Sequence, residues 1–119
     1  MGTTPRELAR TLLARHAERL RLDAAARARV LEGACAELGR LICGGRVARA
    51  WLIGSVAWGA FVVRSDVDVV VDGLSPEALA EVRLQLERAL GREVDLLRFE
   101  ELPADFRDRV LREGRALHA

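Results

Sequence analysis

The chain has 119 residues, of which half are hydrophobic and 31% charged, a composition that suggests neither disorder nor a coiled-coil rod. Nineteen basic against eighteen acidic residues leave a net charge of +1, which argues against a strongly basic nucleic-acid surface. No stretch approaches the roughly 18 uninterrupted apolar residues that span a bilayer, and Arg6, Glu7 and Arg10 stand where a signal peptide would be apolar. A cytoplasmic protein with no membrane contact is expected, built as a single domain over 1–119.

Thr4-Pro5-Arg6-Glu7 reads as a helix start: a hydroxyl N-cap, proline in the first turn and a glutamate that completes a capping box. Leu8, Leu12, Leu13 and Leu20 follow as an apolar stripe. Asp23 then reads as the cap of a second helix, in which Val30, Leu31, Ala34, Cys35, Leu38, Leu41 and Ile42 recur at helical spacing until Gly44-Gly45. Residues 1–45 are thus expected to be a helical pair. Cys35 and Cys43, eight residues and so about 12 Å apart along the second helix, cannot bridge each other and are expected to be buried or partly buried free thiols. With only His16 and His118 as histidines, a zinc site is not expected.

The remainder, 46–119, reads as the catalytic core. Strands are expected at Val47–Ile53, Val67–Val71 and Val94–Arg98, where apolar and β-branched residues concentrate. A helix from Ser75-Pro76-Glu77 to Gly91 carries Leu79, Val82, Leu86 and Leu90. A last helix begins near Pro103 and uses Phe106, Val110 and Leu111. The order implies an α+β domain, a small mixed β-sheet with helices packed on one face.

Asp66-Val67-Asp68 opens the most hydrophobic strand, and the two-residue strand period puts both carboxylates on one face, with Val67, Val69 and Val71 opposite. Asp95 is a lone acid inside Val94-Asp95-Leu96-Leu97. If these strands pair, three acids meet on one patch, and divalent cations are the natural compensation for their charge. Gly54-Ser55 follows the first strand where the chain turns, a place suited to close backbone approach and to an anionic phosphate. Ser65 reads as a turn residue, Trp51 as core, and Trp58 as either a ligand or a packing contact. Asp72 reads as a strand-exit turn residue.

The combination of Gly54-Ser55, ten intervening residues, Asp66-x-Asp68 and a later strand acid at Asp95 resembles the signature of the polymerase-beta-like nucleotidyltransferases. The stretch from Leu102-Pro103 to Gly114 resembles the end of the minimal members known as the MntA type. The resemblance implies the nucleotidyltransferase (polymerase-beta-like) fold, ATP as nucleotide donor and Mg2+, with two ions possible. It assigns Asp66 and Asp68 to the metal ions on the triphosphate, Gly54 and Ser55 to the β and γ phosphates, and Asp95 to the second metal and the acceptor hydroxyl. In-line attack on the α-phosphate would release pyrophosphate. One departure stands out. Many relatives carry a basic residue soon after Gly-Ser, where this chain reads Val56-Ala57-Trp58-Gly59; Arg64 is an alternative source of that charge.

By the same resemblance the acceptor is a hydroxyl of a partner protein, a helical HEPN-type toxin that the chain would neutralise as its antitoxin. Two alternatives remain: transfer to a small molecule such as an aminoglycoside, which would call for a homodimer, and a non-catalytic protein that neutralises its partner by contact.

Overall fold

The computed structural model describes residues 2–59 and 61–117, so His118 lies outside the described residues. A single helix, α1 (Pro5–Cys43), replaces the expected pair. Its start is as expected: Thr4 Oγ1 accepts from Glu7 N at 3.2 Å, and Thr4 N donates to the Glu7 carboxylate at 3.1 Å. No second start occurs because no glycine or proline stands between Arg6 and Glu32, and Ala24, Ala25 and Ala26 favour an unbroken helix. Asp23 spends its carboxylate elsewhere, accepting from Val63 N at 2.9 Å.

Downstream, β1 (Arg49–Ile53), β2 (Val67–Asp72) and β3 (Val94–Arg98) fall within two residues of the expected bounds. Between the first two lies a five-residue helix, α2 (Gly54–Trp58). After a 3-10 turn at Pro76–Ala78 comes α3 (Leu79–Leu90), ended by Gly91 in the left-handed conformation. Another 3-10 turn, Phe99–Glu101, leads to α4 (Ala104–Glu113), and a fourth strand follows directly, β4 (Arg115–Leu117). The strand order is β3-β2-β1-β4; β2 and β3 run parallel, and β1 is antiparallel to both β2 and β4.

The sheet alternation divides the core in two. Ala50, Leu52, Val67, Val69 and Val71 point toward α1 and α3 and join the larger apolar cluster with Leu38, Val82 and Leu86. The expected placement of helices on one face holds for these two. The short α4 packs on the other face, where Val110 and Phe106 meet Trp51, Ile53 and Val70, and Trp51 stacks on Phe99 with ring centroids 5.1 Å apart. Leu111, expected in this packing, is exposed. Cys35 and Cys43 are exposed free thiols rather than buried ones, since the buried stripe of α1 passes through Val30, Ala34, Leu38 and Leu41. Among the described residues, no helix is long and apolar enough to cross a membrane.

Candidate active site

The strand register brings the acids together. On the parallel pair, Asp68 of β2 stands directly beside Asp95 of β3, and on the other side of β2 it pairs with Ile53, the residue before Gly54. Adjacent strands lie about 4.8 Å apart, so the two carboxylates occupy one patch on the face opposite Val67, Val69 and Val71. Asp66 lies one residue before β2 and is exposed. Burial, a hydrogen bond with Asp95 and the negative charges of Asp95 and Asp66 together raise Asp68 above the ordinary carboxylate range.

Gly54 closes the third side. Its φ of 70° is left-handed, and a Cβ built there would collide with Asp68 Oδ2. The position therefore needs glycine twice over, for the backbone turn and for the approach to the acid. Ser55 follows in the first turn of α2, whose leading amides have no helical acceptor. Val56 is fully buried and serves the core.

Two arginines that the sequence patterns did not single out hold this corner. Arg27 of α1 donates from Nε to Val56 O at 2.8 Å and from Nη2 to Ala57 O at 3.3 Å, tying the end of α2 to the long helix. Arg92 donates from Nη1 to Val63 O and Ser65 O at 3.1 and 3.0 Å and lies over the Phe61 ring, fixing the loop that delivers Asp66. Neither carries a local signal, because their partners are 27 to 30 residues away. Ser65 is the turn residue expected, its Oγ accepting from Val62 N at 3.0 Å. Trp58 is partly exposed; its Nε1 donates to Glu113 O at 2.8 Å and the Arg109 guanidinium lies over its ring. Asp72 is the last residue of β2 and pairs with Arg49 at 2.7 Å.

A cavity of about 550 Å3 adjoins Asp68 and Asp95, with Leu79, Ala80 and Arg83 of α3 on its wall. Its volume is within the range for small-molecule sites, and the exposed Arg83 lines the same cavity as the acids. A larger cavity of about 660 Å3 between α1 and α3 is lined by Leu22, Ala26, Gly33, Leu90 and Arg92 and contains neither acid.

Among the described residues, no three His, Cys, Asp or Glu side chains converge as a preformed metal cage. Mg2+ seldom uses such a cage; it is held by one or two carboxylates together with substrate phosphates. Asp68 and Asp95 supply hard oxygen donors, and the acid cluster that raises Asp68 is the environment a cation would relieve. The residues present fit such an ion.

A family model described as polymerase beta, nucleotidyltransferase matches residues 43–119, more than half of the chain. The chain belongs to the polymerase-beta nucleotidyltransferase family. The nucleotidyltransferase is 36% identical over 71 residues to a provisionally named protein adenylyltransferase of Methanocaldococcus jannaschii, a match covering 57% of this chain and 76% of that protein. A solved structure provisionally described as a minimal nucleotidyltransferase is 32% identical, with a TM-score of 0.55 and coverage of 80% of this chain and 92% of the other. A toxin-antitoxin crystal structure with AMP-PNP shares the fold at a TM-score of 0.59 and 23% identity, over 69% of this chain and 70% of that one.

Proposed function

We propose that this nucleotidyltransferase moves AMP from ATP to a hydroxyl of a partner protein and does so as the antitoxin of a helical HEPN-type toxin. The observation that carries the reading is the register of Asp68 beside Asp95 with Gly54 against Asp68, a patch of paired acids next to a free-amide turn. Support for a protein acceptor comes from the likeness to the Methanocaldococcus jannaschii protein adenylyltransferase, and support for the toxin partner from the fold shared with a toxin-antitoxin structure.

In this reading Gly54 and Ser55 hold the β and γ phosphates through the turn. Asp66, Asp68 and Asp95 are the ligands for Mg2+, which when bound would offset charge on the triphosphate. The acceptor oxygen bonds to the α-phosphorus, the bond from that phosphorus to the bridging oxygen breaks, pyrophosphate leaves, and the hydroxyl proton passes to Asp95. The chain would work in the cytoplasm.

The test uses ATP labelled at the α-phosphate with Mg2+ and host lysate, comparing the protein with its Asp66→Asn, Asp68→Asn variant. A labelled protein band made only by the unsubstituted chain is the expected result; no band, with the acids intact and the protein folded, removes the proposal.

A second reading, neutralisation by contact without transfer, is favoured by one observation. The residues in place of the common basic ones are used structurally, Val56 in the core and Trp58 against Glu113 and Arg109. Under that reading Asp68→Asn neutralises the toxin as well as the parent does.

A further inference from the structure

Among the described residues, the first half of α1 has no tertiary partner on its apolar side. Burial in this helix begins at Val30, and Leu12, Leu13 and Leu20 are 54%, 69% and 55% exposed. At 3.6 residues per turn, Leu12, Leu13, His16 and Leu20 lie on the same face as Val30, Ala34, Leu38 and Leu41. The stripe that packs the sheet therefore runs on past the end of the body as an uncovered seam. This arm also precedes the family match, which begins at residue 43.

Charge indicates what covers it. Residues 5–22 hold five arginines and two glutamates, a net of +3, so the rest of a chain of net +1 carries −2. On the helical wheel Arg15 and Arg19 flank one side of the seam and Arg6 and Arg10 the other, whereas Glu7 and Glu18 fall on the back. Flanking charges choose the partner of a helical seam. A second copy would set arginine rows against arginine rows. A flat lipid surface is obstructed, because the seam faces the side on which the body itself projects. A rod lying along the arm meets neither obstacle.

We propose that the arm is a docking site for an acidic amphipathic helix of a partner protein. At its inner end, Leu20 and Val62 share a cavity of about 420 Å3 with Arg27 and Phe61. A helix seated on the seam would abut the loop that leads to Asp66. Asp23 and Arg27, bonded to Val63 and to the end of α2, fix the arm's direction relative to that loop. The inference rests on the proposed protein acceptor for the partner's role, though the docking needs no transfer.

The test is anisotropy of a fluorescein-labelled synthetic helix of about three heptads with Leu at a and d and Glu at e and g, beside a twin with Lys at e and g. The full chain should bind the Glu helix at least about tenfold more tightly than the Lys helix, and less tightly as salt rises. Leu13→Gln with Leu20→Gln should abolish binding, and Arg10→Glu, Arg15→Glu, Arg19→Glu should reverse the preference. These side chains are exposed, so the fold should survive, as checked by circular dichroism. Absent or charge-blind binding, a dimer in sedimentation that the Leu variants dissolve, or anionic-vesicle binding that they remove would each overturn it. The Asp66→Asn, Asp68→Asn variant should bind the Glu helix like the parent, which separates failure of docking from failure of transfer.

Discussion

Asp68 is the residue on which the site's energetics turn. A carboxyl raised in the folded state favours folding below its ordinary range, and that contribution is lost as pH rises through the raised value. At neutral pH and without cations, ionised Asp68 therefore opposes folding. Asp68→Asn should raise the thermal midpoint of the metal-free protein at pH 7 and lose its advantage as the pH is lowered below the carboxylate range. Under the proposed function the same change should reduce AMP transfer by about 100-fold or more, the scale of removing a principal electrostatic contact from a transition state. A midpoint that falls at pH 7 would contradict the assigned environment.

Gly54 can be tested beside it. Gly54→Ala places a side chain in left-handed backbone, costing about 1 to 2 kcal/mol, and drives its Cβ into Asp68 Oδ2. Chemical denaturation should show at least that loss. Combining it with Asp68→Ala should recover the part due to the collision, leaving the backbone part. The Asp-x-Asp spacing and the glycine were legible in the sequence, but their mutual contact was not, because a strand register decides which acid meets which turn.

Among the elements, α2 is too short to be stable alone and depends on α1. Arg27→Ala removes two bonds from a charged donor to the carbonyls of Val56 and Ala57. A loss of about 1.5 to 3 kcal/mol is expected in urea unfolding, and under the proposed function weaker ATP binding as well, because Gly54 and Ser55 open the same helix. Arg92→Ala should raise amide exchange in residues 61–65 while leaving β1 protected. Elements with strong periodicity or punctuation, α3 with Gly91 and β3 with its bounds, could be read from the sequence. The three-residue β4 could not, since its pairing to β1 comes from tertiary position rather than from its own pattern. Asp23 misled for a related reason: a helix-capping residue type in an alanine-rich context caps nothing when the preceding turn is already helical.

On the scale of the molecule, the uncovered arm dominates the shape. The Cα radius of gyration is 18.2 Å, with extents of 65 × 30 × 21 Å, against about 13 to 14 Å for a compact chain of this length. Small-angle scattering of the monomer should give a value near 18 Å. A value near the compact one would mean that the arm folds back as the helical pair the sequence implied.

The sequence alone determined the α+β order and the candidate acids and carried the resemblance to the family, because periodicity and the Gly-Ser to Asp-x-Asp motif are local properties of the chain. Tertiary structure decided which acids are neighbours, how Arg27 and Arg92 secure the loops and that Trp58 lies against α4. It also decided that residues 5–43 form one rod with half its seam bare. Each of these depends on contacts between residues distant in sequence, or on the absence of a covering element, and a local pattern encodes neither.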